Sequence, residues 1–376
     1  MEYERHAWVE VDLDAVGRNL RTLRALTAPG TLFMAVVKAD AYGHGAVPVA
    51  RAALGAGADR LGVATVEEAL ELREAGVAAP VQILSEPPAS SAALLVRNGI
   101  TPAVFSPEFA RALSAAAVAA GETARFHLKI DTGMSRIGVL PEAAAEMALQ
   151  LRALPGIRME GAFTHFATAD VPGDWGYERQ LERFRRALLK LKSEGIDAGI
   201  VSAANSAATI LHPESHFGMV RCGIALYGLH PAPSTYGRIE LVPAMSVEAR
   251  VSRVQRVGMG EGVSYGFTWS SPAPVTIATL PLGYADGVPR IASNKMDVLI
   301  GGTRCRQVGR VCMDQLMAEV PRGTGVRPGD EAVVVGTQGG ETITMDELAD
   351  HAQTINYELS CAFSRRLRRR YRSSTV

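Results

Sequence analysis

Residues 35 to 45 read AVVKADAYGHG, and the architecture follows from how that stretch ends. The apolar run Leu32 to Val37 has the character of a buried parallel strand, and it stops on Lys38 with Asp40, Tyr42 and turn-forming residues directly behind it. A lysine at the carboxyl end of such a strand sits on the rim where a barrel of alternating strands and helices keeps its chemistry. Partly desolvated against apolar neighbours, its pKa falls and it can form a Schiff base. On position alone a solvated, strand-capping lysine is the simpler account, and the remainder of the chain reverses that balance.

The chain continues in the same rhythm. A helix from about Leu13 to Leu26 precedes the Lys38 strand. Helix Val47 to Leu54, strand Leu61 to Ala64, helix Val66 to Glu74 and strand Val81 to Leu84 follow. Further strands are expected near Thr101 to Phe105, Arg125 to Ile130, Met159 to His165, Gly199 to Ala203 and Phe217 to Arg221. Helical segments such as Pro107 to Ala120, Pro141 to Leu151 and Tyr177 to Ser193 separate them. Eight strands joined by crossover helices spell an α/β chain with an N-terminal (β/α)8 TIM-like barrel. After His230 the pattern changes. A joint, PAPSTYG, leads into short alternating runs at Met245 to Val251, Val275 to Leu280, Val298 to Ile300, Met317 to Val320 and Glu331 to Val335. These predict a C-terminal, mostly-β domain over 237–376, the barrel occupying 11–236.

Composition narrows the function classes. A chain of 376 residues suits a barrel plus a smaller domain. Lysine plus arginine and aspartate plus glutamate number 39 each, so no net field draws nucleic acid or an anionic membrane, and a small molecule or a second copy is the expected partner. The opening MEYERHAWVEVDLDAV lacks the apolar core of a signal peptide, and no later window suits a membrane span, so a cytoplasmic location is expected. Cys222, Cys305, Cys312 and Cys361 have no metal-binding spacing and read as reduced packing residues; no metal is expected. Five arginines crowd into Arg365 to Arg370, which reads as a solvated helix end rather than a nucleic-acid tail.

Chemistry-bearing residues gather where the strands should end. KIDTGMSRIG places Lys129, Asp131 and Arg136 after the fifth strand, THFATAD places His165 and Asp170 after the sixth, and ANSAA places Asn205 and Ser206 after the seventh. The eighth ends in Arg221, then Cys222, Gly223 and Ile224. A small residue and the amino end of a short helix there, with the Ser206 hydroxyl, suit a phosphorylated ligand. Taken singly, His165 would be a hydrogen-bonded core residue, and Arg136 would merely pair with Asp131 inside its own loop.

Together, AVVKADAYGHG, KIDTGMSRIG, THFA, ANSAA, RCGIALYG, VSYG, GYADGVPR, GRVCMDQ and TINYE resemble, in order and spacing, the alanine racemases that use pyridoxal 5'-phosphate. The likeness runs over nearly the whole chain. It implies a barrel, a β domain that also takes in residues 1–10, and a head-to-tail homodimer with shared active sites. It implies interconversion of L-alanine and D-alanine, supplying D-alanine for peptidoglycan. By this resemblance Lys38 is the aldimine lysine and the base on one face of the cofactor, and Tyr265 the base on the other. Tyr42, Ser206, Gly223, Ile224 and Tyr357 hold the phosphate, with Asn205 beside them, and Arg221 faces the pyridine nitrogen. Arg136 meets the cofactor phenolate and the substrate carboxylate, His165 lies against the ring, and Met313 with Tyr265 contacts substrate from the second chain. Asp170, Tyr284, Arg290 and Arg310 resemble a narrow corridor admitting a small amino acid, and Lys129 matches a lysine that some members carry as a carbamate.

Two positions depart from the family pattern. Ser202 stands where a histidine usually supports the pyridine-facing arginine, so altered tuning of Arg221 is expected, and Cys222 replaces a usual proline in RPG, so a looser turn into the phosphate helix is expected. The competing readings are a serine or broad-specificity racemase, a Schiff-base barrel aldolase and a cofactor-storing protein. Only a racemase needs both bases. Two bases on opposite faces of a planar carbanion are the simplest way to remove a proton from one side and return it to the other.

Overall fold

The structure is a computed structural model that describes residues 5–374; residues 1–4 and 375–376, at the outer ends of the expected β domain, lie outside the described residues. The chain divides into two compact units. One comprises Ala15–Ala41 and Ala46–Val242; the other comprises the described residues up to Asp14, Tyr42–Gly45 and the chain from Pro243 onward. No helix among the described residues is long and apolar enough to cross a membrane.

Strand β1 (Ala7–Asp12) belongs to the second unit. The first unit is a closed barrel of eight parallel strands: β2 (Leu32–Val36), β3 (Arg60–Val63), β4 (Val81–Ile83), β5 (Ile100–Val104), β6 (Ala124–Lys129), β7 (Ile157–Phe163), β8 (Ile200–Ser202) and β9 (Met219–Cys222), which closes onto β2. All eight expected strands are present. Local chemistry explains why the intervening helices start where they do. Thr65 and Glu68 form a reciprocal capping box for Val66–Glu74, and the Ser106 hydroxyl accepts from the Phe109 amide with Pro107 in the first turn of Pro107–Ala120. The Asp174 carboxylate accepts from the Gly176 amide to start Trp175–Ser193.

One interior feature ties the barrel together toward the amino ends of its strands. The register between β6 and β7 slips, with Phe126 opposite Met159 but His127 opposite Gly161, so Glu160 is an extra residue on β7. Its carboxylate meets Arg60 Nη1 at 2.6 Å, Arg125 Nη1 at 3.1 Å and His127 Nε2 at 3.2 Å. Arg60 lies on β3, which does not adjoin β7 in the barrel, so this contact runs through the interior. Gly161 makes room: a Cβ there would sit 2.5 Å from His127 Cε1 and 2.4 Å from the Ile200 carbonyl oxygen.

The second unit is mostly β. Its main sheet runs β16 (Thr303–Arg306), β15 (Asp297–Ile300), β18 (Glu331–Gln338), β10 (Met245–Arg250), β1, β20 (Arg368–Arg372), with β19 (Glu341–Ile343) on β18. A second sheet orders β11 (Arg253–Val257), β14 (Val275–Leu280) and β17 (Leu316–Val320), and β12 (Gly262–Val263) pairs with β13 (Trp269–Ser270) as a small hairpin. Buried Asp286 receives both Arg5 Nη atoms, at 2.6 and 2.8 Å, and the Gly283 amide at 3.0 Å.

Two expectations are corrected here. The arginine-rich tail is not a solvated helix end: the helix Asn356–Ala362 stops first, and β20 pairs in parallel with β1. Its arginines have partners in the fold. Arg369 donates to the carbonyls of Gly43, Phe363, Ser364 and Leu367, Arg370 lies 3.9 Å from the Trp8 ring centroid, and Arg372 pairs with Glu10 and Asp12. Nor are all four cysteines packing residues. Cys222 and Cys305 are buried, Cys312 is half-buried and Cys361 is exposed.

The Glu160 cluster makes stability pH-dependent. Burial pulls the His127 pKa below its usual 6.5, which the hydrogen bond to Glu160 offsets only in part. Burial would raise the Glu160 pKa, but the hydrogen bonds from His127 and Arg60 outweigh it and hold the carboxyl well below 4.5. Both groups therefore bind protons better in the unfolded chain, so stability falls as pH drops through 6.5 and falls further below 4.5. Glu160→Gln should destabilise the barrel by roughly 3–5 kcal/mol and shrink the loss below pH 4.5. Urea unfolding followed across that range measures both effects.

Candidate active site

Lys38 follows β2 by two residues and opens an unusual turn. Ala39, Asp40, Ala41 and Tyr42 all have φ of 53 or 54°. Left-handed backbone costs an L-residue about 1–2 kcal/mol, so four in a row need outside support. The Glu68 carboxylate supplies some by accepting from the amides of Ala39 and Ala64, each at 2.7 Å, and Asp40 Oδ1 accepts from the Ala46 amide at 2.8 Å. Lys38, half-buried, leaves the barrel on this turn.

At the carboxyl ends of β6 to β9 the interior is cationic. Arg221 is buried, and its guanidinium donates to Ser202 Oγ at 2.5 Å, the Thr164 carbonyl at 2.7 Å, the Ala203 carbonyl at 3.1 Å and His165 Nδ1 at 3.3 Å. Every acceptor is neutral. Burial pulls its pKa down to about 10, which leaves it charged at neutral pH. The Ser202 hydroxyl reaches the guanidinium directly and so takes a part in its support. Buried Cys222 donates to Thr209 Oγ1 at 3.5 Å, and burial raises its thiol pKa to about 12.

Lys129 is buried beside this arginine, its Nζ 3.0 Å from the Ile130 carbonyl and 5.4 Å from the Phe163 ring centroid. Burial first, then the Arg221 charge, lowers its pKa to about 7. His165 is driven well below its usual value by burial and by the charges of Arg221, Lys129, Arg136 and Lys38, so it is neutral. Arg136 is exposed on the loop after β6 and does not pair with Asp131. That carboxylate instead accepts from the Gly133 and Ser135 amides, each at 3.0 Å.

The Ser206 hydroxyl accepts from the amides of Gly223 and Ala225 at 3.0 and 3.4 Å, joining the start of one short helix to the residues after β9. Asn205 caps that helix through the Ala208 amide, and Ile224 begins the short turn Ile224–Tyr227. Asp170 is held through its carbonyl, which accepts from Ser234 Oγ at 2.7 Å. The structure thus gathers Lys129, His165, Ser202 and Arg221 into one contact set and links Ser206 to Gly223.

In the second unit, the Tyr42 and Tyr357 ring centroids lie 6.3 Å apart, and burial raises the Tyr42 phenol pKa well above its usual range. Tyr265 is 70% exposed and Met313 53% exposed, and both line a cavity of 670 Å³ with Ser264 and Cys312. Tyr284 packs beside them, its amide donating to the Cys312 carbonyl at 3.0 Å. Arg290 is exposed, and Arg310 lies beside Gly266.

Sequence reasoning missed two supporting residues. Gln180 accepts from the Ala167 amide and donates to the His165 carbonyl and Thr132 Oγ1, propping the His165 loop. Its signal was a glutamine on the buried stripe Tyr177, Leu181, Phe184. The second is Glu68, which lies in the first turn of the helix expected over Val66 to Glu74 and supports the Lys38 turn.

A pyridoxal phosphate suits this donor set. Buried and neighbouring cations, a carboxylate already committed to backbone amides and a serine with two converging N–H groups call for an anionic ligand. The family model "Alanine racemase, N-terminal domain" matches residues 11–231, and "Alanine racemase, C-terminal domain" matches residues 244–371. An alanine racemase of Symbiobacterium thermophilum is 48% identical over 372 residues, covering 99% of this chain and 98% of that protein. Solved alanine racemases align similarly. One from Streptomyces lavendulae, a D-cycloserine producer, gives a TM-score of 0.93 at 40% identity, covering 99% and 98% of the two chains. One from Bacillus anthracis with bound L-Ala-P gives 0.94 at 37% identity, covering 100% and 97%.

Ser202→Ala leaves the buried Arg221 Nη1 without its closest acceptor. Stability should fall by about 1–3 kcal/mol, read by chemical unfolding, and Ser202→Thr, which keeps the hydroxyl, should recover most of it.

Proposed function

The chain belongs to the alanine racemase family, a family of isomerases, and from that premise we propose that it interconverts L-alanine and D-alanine with pyridoxal 5'-phosphate, supplying D-alanine for peptidoglycan in the cytoplasm. The observation that carries the reading is Arg221, a buried guanidinium held entirely by neutral acceptors. With its pKa still about 10 it keeps its proton at neutral pH. It can therefore donate a hydrogen bond to a ring nitrogen without protonating it, which favours quick return of the α-proton over further chemistry.

The barrel, 11–236, holds the cofactor in this reading, and the β domain, 237–376 with 1–10, brings Tyr265. Pyridoxal 5'-phosphate, when bound, supplies a carbonyl that condenses with amines and a conjugated ring that spreads the charge left by a departing proton. Tyr42, Ser206, Gly223, Ile224 and Tyr357 hold its phosphate, with Asn205 fixing the Ser206 helix. Lys38 Nζ anchors it and moves the α-proton on one face, and the phenol oxygen of Tyr265 moves it on the other. With the cofactor bound, Arg136 and the Met313 amide would orient the substrate, neutral His165 would contact the ring, and Asp170, Tyr284, Arg290 and Arg310 would narrow the approach to favour a small amino acid.

Lys129 follows from the charge balance. Its lowered pKa, about 7, makes a large share of the amine neutral at physiological pH and able to add carbon dioxide, giving a carbamate and releasing one proton. The added negative charge would sit among the cations and steady Arg136. Occupancy should rise as pH passes 7. A carbamate carbon resonance should appear with carbon-13 bicarbonate and vanish in Lys129→Arg; its absence from the native protein would sink the assignment.

The active site is proposed to be shared across a homodimer, with Tyr265 contributed by a second copy of the chain. Mixing Lys38→Ala with Tyr265→Ala chains and letting them reassort makes about half the dimers hybrids, so roughly a quarter of all sites recover both bases. Alanine racemisation should climb from the level of the separate variants toward that fraction. Activity that stays at their level despite verified hybrids would exclude the shared site. A native dimer inert on alanine but active on serine would redirect the substrate assignment.

A further inference from the structure

We propose that Ser264 is a positioning residue that holds Tyr265 on a strained loop, an inference that rests on the role proposed for Tyr265 above. The loop joins β12 to β13, and its base is pinned by the core: Val263 is buried with Val257, Ile277 and Val308, and Trp269 packs against that cluster. Between these anchors Ser264 has φ 65° and ψ −175°, Gly266 has φ 70° and Phe267 has φ 44°. The Ser264 conformation is essentially a glycine region. A residue with a Cβ held there costs of order 1–3 kcal/mol and persists only where its surroundings over-determine it.

The surroundings do so through the serine's own hydroxyl. Ser264 Oγ donates to the Arg310 carbonyl at 2.6 Å and lies 3.3 Å from Cys312 Sγ. The facing segment is shaped to receive it. Gly309 has φ 74°, and a Cβ there would fall 2.5 Å from the Val263 carbonyl oxygen and 2.8 Å from Ser264 Cβ. The Gly309 amide donates to Asn294 Oδ1 at 2.6 Å, and Asn294 Nδ2 donates to Thr268 Oγ1 at 3.1 Å, tying the far end of the loop to the same support. Asn294 is itself fixed, its amide donating to Oε1 of fully buried Gln307 at 2.7 Å, while Gln307 Nε2 donates to the carbonyls of Val308 and Gly309.

Within its own chain the tyrosine at the loop tip is 70% exposed, so that chain directs it through the loop backbone rather than through packing of the ring. Removing the hydroxyl while keeping the Cβ leaves the strain without its restraint, and the loop relaxes toward an extended conformation that re-aims Tyr265. Removing both, in Ser264→Gly, takes away the restraint and the strain together.

The two substitutions therefore separate this role from a plain hydrogen bond. Ser264→Ala should lose about a hundredfold in kcat, the scale of a displacement near 1 Å, with KM changed less than about threefold. Ser264→Gly should lose less than about tenfold. With fluorotyrosine incorporated, the Tyr265 fluorine resonance, assigned by its loss in Tyr265→Phe, should stay single in Ser264→Gly and shift or split in Ser264→Ala. An alanine variant as active as the glycine variant, with an unmoved resonance, overturns the proposal. If Ser264→Ala does not fold, Gly266→Ala, which adds a Cβ at the second left-handed position, should lower kcat at retained KM, and an unchanged kcat overturns it. A native enzyme inert on every amino acid would be a failure of the proposed function instead, and the resonance comparison would still decide the loop.

Discussion

A guanidinium buried with neutral acceptors only is the constraint on which this site depends. Hydrogen bonds from Arg221 to Ser202, Thr164, Ala203 and His165 satisfy its N–H groups but leave its charge uncompensated in a poorly solvated place. Burial, and after it the Arg221 charge, lowers the Lys129 pKa to about 7 and keeps His165 neutral, so that its ring nitrogen can accept.

The other end of the barrel solves the opposite problem. There Glu160 meets Arg60, Arg125 and His127, and opposite charges with satisfied hydrogen bonds make a cross-barrel tie. The division follows the usual polarity of the architecture, in which the amino ends of the strands hold the barrel together and the carboxyl ends carry chemistry. One extra residue on β7 and one glycine opposite His127 suffice to bring the carboxylate inside.

Both residues proposed as bases are carried by backbone that L-residues avoid. Lys38 opens the left-handed run Ala39 to Tyr42, and Tyr265 sits between Ser264 and Gly266, both at positive φ. In each case polar support comes from residues distant in sequence, Glu68 for the first and Arg310 with Cys312 for the second. Strain of this kind persists only where the surroundings over-determine it, and β2 is buried beneath the first turn while buried Val263 anchors the second.

Much was legible in the chain itself. Runs bounded by turn residues marked all eight barrel strands, near-continuously apolar in β2 as suits a strand covered on both faces, and interrupted by polar residues in β6 and β7. Helices Val66 to Glu74 and Pro107 to Ala120 were legible too, and the structure shows their starts fixed within one turn by Thr65, Glu68, Ser106 and Pro107. The motif series was specific enough to indicate a family over the full length. What the sequence could not carry was whatever depends on distant residues meeting. A run of arginines has no apolar alternation, so β20 became visible only in its pairing with β1 and in the carbonyls that Arg369 finds. The inward turn of Glu160 needed a register slip between two strands, and the support of Arg221 by Ser202 needed β8 and β9 side by side. Periodicity and capping are local, acting over a few residues, whereas charge compensation, strand register and tolerated backbone strain are settled by atoms that only the closed tertiary structure brings within a few ångströms.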